Sequence, residues 1–187
     1  MLSALLFSSA LASPIDVATP LCTDPLSKCL TFDASKYTGK WYEIGGTAFV
    51  RRIEGGLSCI QANYSVQPDG TIGVVNTGIK DGKPSSISGS ATQLSPSELQ
   101  VTFPGAPSFP GPNYVVLNVW QNANGYARAL VVAPKRGPDA PESTWILARA
   151  SSISDAEIEE SLDYVRKAGY NPEKNDFQKI DLWQMLN

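Results

Sequence analysis

The chain contains no histidine. That removes the usual general base at neutral pH and the commonest metal ligand. Ser–His–Asp and Cys–His catalysis are therefore excluded within this chain. Cysteine is scarce as well: Cys22, Cys29 and Cys59 are the three present, and they lack the close-paired spacing of a zinc site. No metal and no cofactor is expected. Positive charge is never concentrated: 15 Lys and Arg are scattered against 18 Asp and Glu, for a net charge of −3. Nucleic acid is accordingly not an expected partner. Beyond Ala12, no apolar run is long enough to cross a bilayer as a helix.

What is present is enough for one globular domain. The 187 residues are 42% hydrophobic and 18% charged, which can fill a core. Met1–Ala12 is apolar and ends in Ala10-Leu11-Ala12, the small-x-small pattern of a signal-peptidase site. The expected organisation is a signal peptide over 1–12, an N-terminal extension over 13–31 and a folded domain over 32–187. Secretion follows as the expected destination.

From Trp41 to Arg149 the chain reads as short alternating runs broken by turn chemistry. In Ser58–Val66, Ile60, Ala62, Tyr64 and Val66 share one face, while Cys59, Gln61, Asn63 and Ser65 share the other. Pro68-Asp69-Gly70 turns the chain into Thr71–Gly78, with Ile72, Val74 and Asn76 in phase. Lys80-Asp81-Gly82-Lys83 turns it again into Ser85–Gln93. Glu98–Phe103 carries Leu99, Val101 and Phe103 in phase. Asn113–Trp120, Tyr126–Ala133 and Thr144–Arg149 follow, and with Trp41–Gly46 they make eight strands. Short turns pair sequence neighbours antiparallel, and eight such strands form either a sandwich or a closed up-and-down barrel. One helix comes after them. Ser154 caps it, Asp155 and Glu157 suit its positive end, Ile158, Leu162 and Val165 make its apolar stripe, and Gly169 stops it.

Particular residues then become recognisable. Gly39-Lys40-Trp41-Tyr42-Glu43 resembles the G-x-W-[YF] signature of the lipocalin family. Cys59–Ser65 resembles the second strand of its apolipoprotein D branch. Ala129–Pro134 followed by Trp145–Arg149 resembles the last two barrel strands of that branch and of bacterial outer-membrane lipocalins. The Thr-Asp-Tyr motif usual between strands six and seven is missing from Trp120–Tyr126. The resemblance implies an all-β fold: an eight-stranded antiparallel up-and-down lipocalin barrel with one C-terminal α-helix packed outside. Some relatives are lipid-anchored, but Leu21 precedes Cys22 where acylation needs a small residue, which argues against an anchor here.

The resemblance also implies roles. Trp41 and Arg149, with Gly39 allowing close approach, are expected to close one end through a cation–π contact of about 1–2 kcal/mol. The expected ligand-binding lining draws on Ile60, Ala62, Tyr64 and Val66, on Val74 and Asn76, and on Val101 and Phe103. Trp145, Leu147 and the rim residue Phe49 complete it. A solidly filled core is the competing reading of the same positions. In the mouth loop 47–57, Arg51 and Arg52 either meet an acidic head group or are solvated loop charges. Phe109, on the proline-stiffened loop 104–112, is expected at the rim or against a membrane or partner, and 135–143 is expected to be a mobile gate. Asn63-Tyr64-Ser65 is an N-glycosylation sequon on an outward strand face. Cys59 shares that face and is expected to bridge to Cys22 or Cys29; a Cys22–Cys29 loop with Cys59 free is the alternative.

The expected function is binding and transport of a small hydrophobic ligand: a fatty acid, lysolipid, sterol or retinoid-like molecule. Transient membrane contact through the rim loops is expected, and an obligate protein partner is not. The alternative is a lipocalin-fold enzyme, an isomerase or cyclase. It would need an acid or base inside the cavity, and Tyr42, Glu43, Glu54 and Tyr64 are the candidates. An inward Glu43 beside a polar cluster would favour it.

Overall fold

The computed structural model describes residues 17–18, 32–108, 110–137 and 139–180. The leader over 1–12, Cys22, Cys29 and Phe109 lie outside the described residues. In chain order the elements are β1 (Val17–Ala18), α1 (Ala34–Tyr37), β2 (Gly39–Gly46), α2 (Ala48–Ile53), β3 (Ser58–Val66), β4 (Ile72–Lys80) and β5 (Lys83–Ser95). Then come β6 (Glu98–Thr102), β7 (Tyr114–Asn122), β8 (Gly125–Ala133), β9 (Ser143–Ala148), α3 (Asp155–Lys167) and β10 (Gln178–Lys179).

Strands β2 to β9 each pair antiparallel with the next, and β9 pairs back onto β2, so the sheet is a closed eight-stranded barrel. The β6–β7 seam is short. Backbone register there covers Glu98↔Val115 and Leu99↔Tyr114. Asn113 extends it by imitating a strand residue: its side-chain amide donates to Val101 O (2.8 Å), and its Oδ1 accepts from Val101 N (2.7 Å). Further along β7, β1 pairs with Trp120 and Gln121.

Closure sorts side chains into two apolar layers. Trp41, Ala62, Tyr64, Val74, Ala91, Leu99, Val116 and Leu147 pack inside the barrel. Ile44, Val115, Leu117, Leu130 and Ile146 pack outside, beneath Ile158, Leu162 and Val165 of α3. A register shift at Leu117 lets β7 change phase, so that Leu117 lies outside and Val119 inside. Helix α3 starts on a capping box between Ser154 and Glu157. It is bolted to the wall by buried Arg128, whose guanidinium stacks 3.9 Å from the Trp120 ring and pairs with Glu160 at 2.6 Å.

The barrel floor is built around one arginine. Arg149 lies 3.9 Å over the Trp41 ring. Its guanidinium donates to Lys40 O (2.7 Å), Thr38 O (2.7 Å), Lys36 O (3.1 Å) and Tyr126 O (3.3 Å). The first three carbonyls belong to the chain around α1, and the fourth belongs to β8, so the guanidinium ties the two together. Gly39 makes the turn into β2 at φ +87, with Arg149 Nη1 only 3.5 Å from where a Cβ would stand. The Trp41 indole donates to Tyr37 O at 2.8 Å, and Phe32 and Tyr37 stack beneath.

Three expectations need correction. The segment 47–57 is not a simple loop: it holds helix α2, docked where Thr47 Oγ1 donates to Glu142 O and Ala48 N to Asn175 O. The 135–143 stretch is not a free gate: Lys135 pairs with Glu142, and Glu142 N donates to Asn175 Oδ1. Cys59 is a buried free thiol, not a bridged one. A register shift between Ser58 and Gln61 gives Cys59 a φ of 53 and turns it off the strand's outward face.

Arg149→Ala is expected to lower stability by about 1–3 kcal/mol, because four exposed or half-buried carbonyls lose a charged donor and Trp41 loses its cation–π partner. Arg149→Lys is expected to recover less than half of that, since an ammonium cannot reproduce the planar fork. Chemical denaturation of the three proteins checks both.

Candidate functional site

Residues in register across antiparallel strands point to the same side of the sheet. The rows Trp41↔Ala62↔Asn76 and Glu43↔Leu147 therefore face the lumen together, as does Trp145, which lies opposite Val131. Ala62, Tyr64, Val74 and Leu147 belong to the inner apolar cluster, with Val101, Phe103, Tyr114 and Trp145 packed against it. Ile60 is buried beside the backbone of Gly78. Asn76 is half-buried, and Ile87, its register partner on β5, is 41% exposed.

Some anticipated residues are not there. Val66, the last residue of β3, is 56% exposed although its register partner Ile72 is buried in the inner cluster. Tyr42 points outward and takes a hydrogen bond from Lys40 Nζ at 2.6 Å. Arg51 and Arg52 are spoken for. Arg51 Nη1 donates to Gly46 O (2.7 Å), its Nη2 pairs with Asp176 Oδ2 (2.5 Å), and Arg52 stacks 4.9 Å from the Phe49 ring. Phe49 itself sits half-buried on α2.

Two polar groups stand inside this apolar wall. The first is a chain of tyrosines: Tyr37 and Tyr114 hydroxyls are 2.7 Å apart, and Tyr114 and Tyr64 are 3.1 Å apart. Burial pushes the Tyr64 phenol up to about 12 and raises the other two well above the ordinary value, so all three stay neutral. Sequence patterning singled out Tyr64 alone. Tyr37 comes from α1 and Tyr114 from the first residue of β7, and only the folded chain brings them to it.

The second group is a carboxyl pair. Glu43 is inward on β2 and 2% exposed. Glu54 is the C-cap of α2, and its Oε1 accepts from Trp145 Nε1 at 3.3 Å. The two carboxyls share a hydrogen bond. Burial first, and the Glu54 charge second, push Glu43 well above the ordinary 4.5; Arg51 opposes them weakly. Burial also raises Glu54, but the bonds from Glu43 and Trp145 pull it back. Glu43 thus holds the proton and Glu54 the charge. The pair fits under α2 because residue 46 is glycine: a Cβ there would meet Val50 Cγ1 at 2.9 Å and Glu43 Oε1 at 3.1 Å. No N–H or hydroxyl donor reaches buried Glu43 Oε1 or Asn76 Oδ1.

Among the described residues no His, Cys, Asp or Glu cluster is arranged to hold a metal ion.

The chain matches a family model described as a lipocalin-like domain over residues 32–179. It is 34% identical over 178 residues to outer membrane lipoprotein Blc of Escherichia coli (strain K12), covering 90% of this chain and 92% of that protein. Apolipoprotein D of Bos taurus is 43% identical over 84 residues, 41% of this chain and 43% of that one. Among solved structures, insecticyanin from the tobacco hornworm Manduca sexta shares the fold, with a TM-score of 0.63, 17% identity and 89% of each chain covered. The expected disulfide-bonded, secreted glycoprotein is corrected by these findings. The relative aligned along almost the whole chain is an outer membrane lipoprotein, and Cys59 carries no bridge. Asn63 is exposed on the outer strand face, but it is not carried forward as a glycan site.

Folding raises the Glu43 pKa, so the native protein keeps a proton that the unfolded chain releases from about pH 4.5 upward. The stability this neutral carboxyl contributes is complete below that pH and is lost as pH rises towards the folded value. Glu43→Gln is neutral at every pH and escapes the loss. Its Tm is expected to gain on that of the wild type as pH rises from about 5 to 8. Thermal unfolding across that range checks this, and a constant gap would contradict it.

Proposed function

The chain belongs to the lipocalin family, and on that premise we propose that it binds one small hydrophobic molecule inside the barrel and carries it. The observation that supports this most directly is the pair of unserved acceptors, Glu43 Oε1 and Asn76 Oδ1, buried among apolar and aromatic side chains. A core packed only with its own side chains would lose about 1–3 kcal/mol for each buried polar group left unpaired. A site that receives a guest can leave such groups for the guest to satisfy. The lining is what a guest of mostly apolar surface needs: Val74, Leu147 and Ala62 for contact area, with the Trp145, Tyr64 and Phe103 rings for shape.

The ligand-binding set comprises Ile60, Ala62, Tyr64, Val74, Asn76, Val101, Phe103, Trp145 and Leu147, with Phe49 at the mouth. Glu43 and Glu54 join it. Trp41, Arg149 and Gly39 hold the floor and stay outside the binding set. The folded domain begins at residue 32, after a leader over 1–12 and an extension over 13–31. Work at a cell envelope, with transient membrane contact by the rim around Phe49 and Ile53, is supported by the outer membrane relative and by the exposure of Ile53.

One observation favours the enzyme alternative. Glu43 does face inward beside a polar group, and a carboxyl whose pKa burial pushes well above the ordinary range can serve as a general acid. A proton-transfer isomerase also needs a base poised across the substrate; the neutral tyrosines are poor bases, and Glu54 is bonded to Glu43 itself rather than set apart from it. The carrier reading therefore stands ahead.

Titration with diphenylhexatriene, a fluorophore without polar groups, is expected to show one saturable site of about micromolar affinity. Hydrophobic competitors are expected to release it. Ligand-induced quenching of tryptophan emission is expected to fall sharply in Trp145→Phe. If no hydrophobe across a broad panel binds, the carrier reading fails. Turnover of an extracted ligand, seen by mass spectrometry before and after incubation, would favour the enzyme instead.

A further inference from the structure

We infer that the Glu43–Glu54 pair, with Asn76, is a head-group subsite that selects guests ending in a hydrogen-bond donor, a hydroxyl or an ammonium, over guests ending in a carboxylate. The inference rests on the carrier reading above and adds the chemistry of the guest's polar end.

Glu43 is 2% exposed, inward-facing, and its Oε1 receives no N–H or hydroxyl donor. Asn76 Oδ1 is likewise buried without one, one inward row nearer the floor on β4. Asn76 Oδ1 and the Glu54 carboxyl are acceptors, and Glu43 spends its one proton on Glu54. A guest carboxylate brings acceptors only, so it would satisfy neither.

Charge points the same way. Glu43 holds its proton more tightly than Glu54, so negative charge at the pair falls on Glu54. The cation beside them, Arg51, is already engaged by Gly46 O, Asp176 O and Asp176 Oδ2. The group facing the pair from β9 is the Trp145 indole, which donates to Glu54 and carries no charge. From the floor side, Tyr64 is neutral and bonded to Tyr114. A carboxylate entering here would meet a like charge in a poorly hydrated site, where repulsion is weakly screened. An ammonium would neutralise it, and a hydroxyl would donate to it.

Position completes the case. Glu54 is on the C-cap of α2, and α2 is held over the mouth by Thr47, Val50 and Arg51. A guest whose tail lies along Val74, Leu147 and Phe103 would place its head between the barrel wall and this helix.

The test uses the full-length protein and three guests with the same tail: dodecylamine, dodecanol and laurate, each below its critical micelle concentration, displacing diphenylhexatriene near neutral pH. Dodecylamine and dodecanol are expected to displace the probe at concentrations about tenfold below that of laurate. Glu54→Gln removes the charge, so the gap between dodecylamine and laurate is expected to shrink by about tenfold while dodecanol moves less. Circular dichroism establishes that the variant is folded, and the wild-type series decides the matter without it. If only the amine or only the alcohol beats laurate, the donor rule holds and the head group is identified. Laurate equal to or tighter than both overturns the inference while leaving the carrier reading intact. Failure of diphenylhexatriene itself to bind overturns both.

Discussion

Strand β9 hydrogen-bonds on both sides, to β8 and to β2, and that double pairing separates a dry inside from an outside. An open sheet of the same strands would present an edge at β2 and leave Trp41 and Glu43 facing water. Once closed, one alternation along β2 places Trp41 and Glu43 within, while Tyr42 and Ile44 meet the outer layer. The Arg149 contacts then fasten the closing strand's end to the chain that enters β2. The joint and the floor plug are thus made by the same side chain.

Both layers bury polar groups. Outside, Arg128 is buried and engaged by Glu160, the Glu157 carbonyl, the Ser161 hydroxyl and the Trp120 ring, which fixes α3 in place. Inside, the tyrosine hydroxyls serve one another, but Glu43 and Asn76 keep acceptors open. Unpaired buried groups weaken a fold and are rare for that reason.

Much of the fold was legible in the chain. Period-two alternation in β3 and β4, tight turns such as Pro68-Asp69-Gly70, and the Ser154 cap each act within a few residues, so local chemistry decides them. The short helix α2 was hidden because only its docking to Glu142 and Asn175 holds so brief a helix. The Cys59 bulge was hidden too. One extra residue on β3 leaves no mark in composition, yet it turns a thiol from the outer face into a buried position. The lumen was half legible. Alternation marks Ala62, Tyr64 and Val74, but the approach of Glu54 to Glu43 depends on where α2 docks and on residue 46 being glycine.

The brief seam between β6 and β7 leaves the far stretch of β7 uncovered by β6, and residues 17–18 lie against it at Trp120 and Gln121. Residues 17–18 thus cover part of the β7 border that β6 leaves open, and a border left bare there is a strand edge that another chain could pair with.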